Sequence, residues 1–157
     1  PLTAAEFNSY VNKAGESLDF TEFRCSKRFF ATARPVKHVL KVAKKMMAKL
    51  SEDHQEFILL TARGRLNDHT LFLETFRKFG FDVDRTQVFY AGDRSHERSY
   101  VAKKRIVQEL LEKKPYSIVR MFDDAPKNIE LFLELRKDFP DTKFEAFLID
   151  KGSISRI

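Results

Sequence analysis

The stretch that decides the fold of this chain is SIVRMFDDAP, residues 117–126. It opens with a short, mostly apolar run, ends in two adjacent carboxylates, and reaches Pro126 where a helix can begin. A buried strand that leads into a helix is the repeating unit of α/β folds. Two like charges at the end of a buried strand are costly unless a cation shares the site. The stretch therefore predicts a strand of an α/β fold and a charged site at its carboxyl end.

The same alternation of strand and helix runs through most of the chain. Short apolar runs bounded by polar residues predict strands at 56–61, 87–91, 117–122 and 144–149. Apolar residues at helical spacing predict helices at about 35–50, 68–79, 99–113 and 126–139. Because strands and helices alternate, we expect a parallel sheet with helices on both faces.

The two ends of the chain fit this alternation less well. Thr3 and Glu6 have the spacing of a capping box at the start of a short helix that reaches Val11. Residues 12–33 show no clear periodicity and predict a loop or a small insertion. After the last predicted strand, Lys151 and Gly152 predict a turn into a short tail.

Length and composition favour one folded domain. The chain has 157 residues, of which 43% are apolar and 33% charged, and its 16 phenylalanines predict a Phe-rich core. No uninterrupted apolar run is longer than residues 57–60, whereas a bilayer span needs roughly 20 apolar residues. No secretion signal is visible, and Cys25 alone cannot form an internal disulfide. These features predict an intracellular protein of the cytoplasm.

The chain is basic, with a net charge of +6 and a pI near 9.4. An excess of positive charge favours an anionic partner such as nucleic acid. A solvated basic surface explains the same charge, because the lysines and arginines are spread along the chain. Both readings remain open at this point.

Polar groups follow three of the predicted strands. In parallel sheets, ligands bind at the carboxyl ends of the strands. The groups at or near these strand ends are a hydroxyl, several cations and a carboxylate pair: Thr61, Arg63, Arg94, Lys103, Lys104, Asp123 and Asp124. Each has a plain alternative reading, since Thr61 suits a turn, Asp124 suits a helix N-cap, and helix lysines are usually solvated. Their order and spacing together are more specific than any one of them.

This order resembles the second, third and fourth motifs of the haloacid dehalogenase (HAD) superfamily, over about residues 57–139. The resemblance implies a Mg²⁺-dependent phosphatase with a three-layer, HAD-like fold. It implies phosphate binding by the Thr61 hydroxyl and the backbone of Ala62, and charge neutralisation by Lys103, with Lys104 as the alternative. It implies that Asp123 and Asp124 hold Mg²⁺, which prefers carboxylates, water and phosphate oxygens.

A finer resemblance concerns LTAR at 60–63 followed by FRKFG at 76–80. These residues are similar to the phosphatase module of phage polynucleotide kinase-phosphatases and to small phage-encoded HAD proteins. The similarity implies a phosphate contact for Arg63. It also implies phosphomonoesters as substrates, with nucleic-acid 3'-phosphates as one class.

The family's first motif is an apolar strand that ends in Asp-x-Asp-x-Thr, and its first Asp attacks phosphorus. We expect this motif to be absent from the chain, since the nearest match, at 147–153, has one Asp and comes at the wrong end of the chain. The resemblance therefore implies that the nucleophile precedes Pro1, that residues 1–34 form a flap or small cap-like segment, and that residues 35–157 form the core without its first strand. Because that strand lies centrally in the family's sheet, we expect an upstream segment or a partner chain to supply it, or the chain to have rearranged.

Two functions are alternatives to the phosphatase. If Pro1 is the mature N-terminus, the resemblance implies a catalytically inactive HAD-fold binding or structural module, for instance a phage particle component with a processed N-terminus. A two-component receiver domain also combines acidic pairs, Thr and Lys, but its acidic pair follows the first strand. Here the pair comes last, which excludes the receiver.

Overall fold

The computed structural model of the protein describes residues 24–50, 55–94 and 96–157. The fold is mixed α/β. Its α-helices in the described ranges are α1 (Ser26–Thr32), α2 (Lys37–Met47), α3 (His69–Arg77), α4 (Ser99–Lys113) and α5 (Pro126–Glu134). The strands are β1 (Phe57–Thr61), β2 (Thr86–Tyr90), β3 (Ile118–Asp123), β4 (Lys143–Asp150) and β5 (Ser153–Arg156). Short 3-10 helices cover Ala91–Asp93 and Leu135–Lys137.

Local chemistry explains most of the helix boundaries. The side chain of Asp68 caps α3 by accepting a hydrogen bond of 2.9 Å from the N–H of Leu71. Gly80 has a φ of 75°, which lets the chain leave the helix in the left-handed region. Pro126 occupies the first turn of α5, where its missing N–H leaves no bond unmade. The predicted strands and the helices after residue 34 all occur, with shifts only at their ends.

Two segments differ from the sequence-based expectation. Residues 26–32, predicted to be irregular, form α1. After Lys151 and Gly152, whose φ angles are 46° and 87°, the chain does not end as a tail but returns as β5, antiparallel to β4. The expected capping box of Thr3 and Glu6 lies outside the described residues.

The strands form two separate sheets. In the first, β1 and β2 are parallel, with Thr61 opposite Tyr90. In the second, β3 and β4 are parallel, with Asp123 opposite Leu148, and β5 joins the other edge of β4. Within the described ranges, no strand pairs with the remaining edge of β1 or of β3.

Helix α4 packs against both sheets. Near its start, Ala102 and Ile106 lie in an apolar cluster with Leu60 of β1 and Phe89 of β2. Near its end, Leu111 lies in a second cluster, which also contains Ile129, Phe132, Leu135, Phe144 and Ala146. One helix thus ties the two sheets together.

A third apolar cluster packs α2 and α3 against β1. It is centred on Met47, Phe81 and Val83, each about 4% exposed. The rings of Phe57 and Phe81 meet edge to face at 5.3 Å. Burying one large apolar side chain contributes roughly 1.5–3 kcal/mol. Phe72, Phe81, Phe132 and Phe144 are among the buried apolar residues of the described chain. No helix in the described part of the chain is long and apolar enough to cross a membrane.

Candidate functional site

Lys103 and Asp123 form a buried ion pair between α4 and the end of β3. The ammonium of Lys103 lies 2.7 Å from Oδ2 of Asp123, and each residue is 8% exposed. A charge this deeply buried requires a partner, because removal from water is costly. The structure therefore brings together two of the predicted site residues, which stand 20 positions apart.

The other carboxylate oxygen of Asp123 accepts two hydrogen bonds. Its Oδ1 accepts hydrogen bonds from the backbone N–H of Ala125 at 2.9 Å and from the side-chain amide of Asn128 at 2.7 Å. Asn128 is itself 8% exposed. A carboxylate has about four lone-pair positions, so these three hydrogen bonds leave one for a further ligand. The sequence analysis missed Asn128, although a polar residue beside Ile129 on the inward face of α5 is a usable signal.

The structure distinguishes the two candidate lysines, Lys103 and Lys104, by the acids that they contact. Lys104 turns away from Asp123 and pairs with Glu134 of α5 at 2.7 Å. Successive residues of a helix point about 100° apart, so only one of two adjacent lysines can face the end of β3. That residue is Lys103.

Asp124 differs sharply from its neighbour. It is exposed, and its side chain makes no hydrogen bond or ion pair to the part of the chain that the structure describes. The pair therefore consists of one buried, hydrogen-bonded carboxylate, Asp123, and one exposed carboxylate, Asp124. That donor set suits Mg²⁺, which commonly binds one or two carboxylates and keeps several waters. Within residues 24–50, 55–94 and 96–157 no group of three His, Cys, Asp or Glu side chains is gathered around a metal position.

Thr61 stands at the carboxyl end of β1, opposite Tyr90. Its Oγ1 accepts a hydrogen bond of 3.1 Å from the backbone N–H of Arg63. The hydroxyl proton remains available to donate, because a hydroxyl is donor and acceptor at once. Thr61 is therefore oriented by its own loop and can offer a proton to an anion at the strand end.

The loop of residues 61–65, here called the Thr61 loop, is held against the 3-10 helix after β2. The N–H of Gly92 donates to the carbonyl of Arg63 at 3.1 Å, and the N–H of Arg65 donates to Oδ1 of Asp93 at 2.6 Å. A Cβ at Gly92 would lie only 2.3 Å from the backbone nitrogen of Gly64. The close approach therefore requires glycine at position 92.

Arg63 and Ala62 lie on the same loop. Ala62 is exposed, and Arg63 is partly buried with its guanidinium 4.9 Å above the ring of Phe29. Burial lowers the pKa of Arg63, but a guanidinium stays charged at neutral pH. The remaining strand-end cation, Arg94, pairs instead with Glu109 of α4 at 2.7 Å.

The apolar cluster around Ala102 contains a chain neighbour of Thr61 and of Lys103. Leu60 precedes Thr61, Ala102 precedes Lys103, and both belong to this cluster with Ala91. The cluster therefore packs the end of β1 against the start of α4. Among the described residues, neither Lys103 nor Asp123 makes a hydrogen bond to the side chain of Thr61.

The expectation that the letters Asp-x-Asp-x-Thr are absent was wrong, because they occur once in the chain, at Asp82, Asp84 and Thr86. They precede β2 and do not end a strand. Asp84 pairs with Arg77 at 2.8 Å, and the hydroxyl of Thr86 donates to the carbonyl of Asp82 at 2.8 Å. Thr86 lies at the opposite end of β2 from Tyr90, roughly 13 Å away at the rise of a strand. This copy of the pattern therefore stabilises a turn and does not face the Thr61 loop.

Comparison with known proteins identifies no relative of this chain. No family model, no curated protein and no solved structure matches this chain.

Proposed function

We propose that the protein is a Mg²⁺-dependent phosphatase of the HAD type, acting on phosphomonoesters, with nucleic-acid 3'-phosphates as one substrate class. The observation that carries the proposal is the buried pair of Lys103 and Asp123 at the end of β3, two residues to which the family resemblance assigns charge neutralisation and metal binding. Thr61 ends β1, directly after a residue of the apolar cluster that β1 shares with α4. The nucleophilic aspartate is proposed to lie outside the 157 residues.

Each predicted residue has a role that its environment supports. The proton of Thr61 and the backbone N–H of Ala62 would hold phosphoryl oxygens, while Arg63 and Lys103 would neutralise their charge. Asp123 and Asp124 would hold Mg²⁺, which neutralises charge on a phosphoryl group when bound. Phosphoryl transfer depends mainly on such positioning and electrostatic stabilisation.

The fold proposed with this function is a three-layer, HAD-like one in which the two sheets are parts of a single larger sheet. Two observations support it: α4 packs across both sheets, and β1 and β3 each have an edge without a partner in the described ranges. At the start of these strands, Glu56 hydrogen-bonds the side chains of Tyr116 and Lys114. These side chains are long enough to connect strands about 10 Å apart, the separation left by one intervening strand.

An upstream segment or a partner chain is proposed to supply that intervening strand. Unpaired N–H and C=O groups on two strand edges cost roughly 1–3 kcal/mol each when they are buried without a partner. A parallel strand between β1 and β3 would pair both edges at once. It would also place its own carboxyl end beside Thr61 and Asp123.

The test of the proposed activity is hydrolysis of an aryl phosphate by the full-length protein, with and without Mg²⁺. Asp123→Asn is expected to abolish hydrolysis. Glu145→Gln is the matched control, because Glu145 is also a buried carboxylate held by cations, Arg120 at 2.6 Å among them, but it lies on β4. Full activity in Asp123→Asn, or equal loss in both variants, would refute the metal and site assignment.

A second candidate, an inactive HAD-fold binding or structural module, is favoured by one observation. Asp123 already receives three hydrogen bonds from Lys103, Ala125 and Asn128, so the pair is stable without a metal ion. Thermal unfolding distinguishes the candidates. A rise of Tm on addition of millimolar Mg²⁺ that Asp124→Asn abolishes supports the enzyme, and an unchanged Tm supports the module.

A further inference from the structure

Glu145, on β4, is a buried carboxylate that three cations share. Its Oε2 lies 2.6 Å from Nε of Arg120 on β3. Its Oε1 lies 3.0 Å from the ammonium of Lys143 on β4 and 3.0 Å from Nη2 of Arg156 on β5. Hydrogen bonds from Lys143 and then from Arg120 lower the pKa of Glu145 to about 2, so the carboxylate is charged at neutral pH. Three positive charges and one negative charge give these four side chains a net charge of +2.

The three cations face solvent, whereas the acid between them does not. The side chains of Arg120, Lys143 and Arg156 are 47%, 60% and 60% exposed, and that of Glu145 is 7% exposed. In the described part of the chain, Glu145 is the acidic side chain with which these cations form salt bridges. One cation balances one carboxylate, so the other two charges can attract an anion from solvent.

Two stacked phenylalanines lie beside these cations on the same face of the sheet. Phe122 and Phe147 are opposite each other on β3 and β4, and their rings stack with centroids 4.5 Å apart and an interplanar angle of 7°. Phe147 is also opposite Arg156 on β5. Both phenylalanines are half-buried, so part of each ring is open to solvent. Cations and rings thus form one surface, here called the Arg120 face, which consists of Arg120, Phe122, Lys143, Phe147 and Arg156.

The Arg120 face lies on the side of the sheet opposite the Lys103–Asp123 pair. Met121 and Asp123 alternate with Arg120 and Phe122 along β3, and alternate residues of a strand point to opposite faces. On that other side, Met121 packs in the cluster with residues of α5, and Asp123 accepts a hydrogen bond from Asn128 of α5. The Arg120 face is therefore a surface distinct from the candidate site.

We propose that the Arg120 face binds single-stranded nucleic acid, with its cations on the phosphates and its two rings against unpaired bases. A positively charged surface with aromatic side chains suits a single strand, because a duplex keeps the faces of its bases stacked on one another. A membrane surface fits less well, since insertion requires protruding apolar side chains and the two rings are half-buried. The inference goes beyond the proposed phosphatase and does not depend on it.

Fluorescence anisotropy of a labelled single strand of about ten nucleotides tests the proposal. The full-length protein is used with a chelator present, and the strand carries no terminal phosphate. In Lys143→Gln/Arg156→Gln the affinity should fall about tenfold at low salt, and the slope of log K against log salt should fall by roughly 0.7 for each cation removed. Arg120 stays in place to balance Glu145, so the core beneath the surface is kept.

A second variant tests the rings separately from the charges. Phe147→Leu keeps an apolar side chain but removes an aromatic ring, so the affinity should fall about threefold or more with an unchanged salt slope. Phe76→Leu is its control, because Phe76 is also half-buried but lies on α3. That variant should bind the strand as tightly as the wild type.

The control for the charge variant has the same change in net charge at a distant site. Lys37→Gln/Lys41→Gln removes two exposed cations from α2 and should leave the affinity within about twofold. Equal losses in the two double variants, equal affinity for a duplex of the same sequence, or no binding by the wild type would overturn the proposal. Binding to anionic phospholipid vesicles in place of the oligonucleotide would overturn it as well. Since the probe holds no phosphomonoester, failure of the proposed hydrolysis does not alter this result.

Discussion

The side-chain amide of Asn128 donates to Oδ1 of Asp123 at 2.7 Å, on the side of the carboxylate opposite the Lys103 ammonium. Asp123 is therefore held from two directions, by a charge from α4 and by a neutral donor from α5. A carboxylate held in this way has a single orientation, which is the property that a ligand for a small cation needs. The contact with Lys103 and the contact with Asn128 should contribute separately to the stability of the protein.

Removing the buried cation should have a much larger effect on stability than removing its neighbour. Lys103→Met leaves Asp123 charged and without its partner, so we expect a loss of about 3–5 kcal/mol in the free energy of unfolding. Lys104→Met breaks a partly exposed pair with Glu134 and should cost at most about 1 kcal/mol. Urea denaturation of the two variants measures both values. Equal losses would show that the Lys103–Asp123 pair is not buried as described.

Asn128→Ala should destabilise the protein and reduce the proposed phosphatase activity. The variant removes a donor to a buried carboxylate, which costs about 1–3 kcal/mol. Gln108→Ala is the control, because in the described part of the chain the Gln108 side chain bonds Glu112 within α4, and its loss should change stability by less than about 0.5 kcal/mol. Kinetics separates a positioning role from a structural one. We expect kcat to fall and the Mg²⁺ dependence to weaken even at temperatures where Asn128→Ala is fully folded.

Gly64 of the Thr61 loop and Gly92 of the 3-10 helix packed against it should respond differently to substitution by alanine. In Gly92→Ala the new Cβ would lie 2.3 Å from backbone nitrogen, so the loop must shift at a cost of about 1–3 kcal/mol. In Gly64→Ala the nearest atoms are side-chain atoms of Asp93 and Arg24 at 3.2 and 3.4 Å, which can give way. Thermal unfolding should therefore show a clear fall of Tm for Gly92→Ala only. A larger fall for Gly64→Ala would contradict the packing of the loop.

Tyr116 should titrate late, and its contribution to stability should be lost at alkaline pH. Burial, and then the hydrogen bond to Glu56, raise the pKa of Tyr116 to about 12. An unfolded tyrosine has a pKa of about 10, so this contribution is fully present below pH 10 and is lost as pH rises through 12. Absorbance at the phenolate band should show one of the four tyrosines ionising last, and Tyr116→Phe should remove that step.

Glu56→Gln tests the cause of the shift. It removes a charge that disfavours the phenolate, so the pKa of Tyr116 should move back towards that of an ordinary tyrosine. Glu112→Gln is the control on the exposed end of α4 and should leave the titration unchanged. An unchanged late step in Glu56→Gln would mean that Tyr116 and Glu56 are not in contact at the start of the two strands.

Much of the fold could be predicted because its causes are local. The cap formed by Asp68, the positive φ at Gly80 and the proline at the start of α5 each involve residues a few positions apart. Helix α1 could not be predicted in the same way. No side chain caps it, and its position depends on bonds from Ser26 to residues 41 and 42 positions away. Strand β5 escaped prediction because its short, polar sequence becomes a strand only beside the edge of β4.

The candidate site was predictable in its residue types but not in its contacts. The order of Thr61, a helix lysine and two aspartates is visible in the sequence. The hydrogen bond from Asn128 to Asp123 and the Asp-x-Asp-x-Thr letters at Asp82 were not predicted, and the structure places the latter in a turn before β2. The spacing of residues in the sequence does not determine which residues contact each other in the folded chain.

By itself, the sequence determined the alternation of strands and helices and the polar residues that follow each strand, because burial patterns and caps act over a few residues. Only the tertiary structure decided that the strands divide into two sheets, that Lys103 and not Lys104 meets Asp123, and that Arg24 lies over the Thr61 loop. These outcomes depend on the rotation of a helix about its axis and on contacts between distant segments. Neither is encoded in the spacing of neighbouring residues.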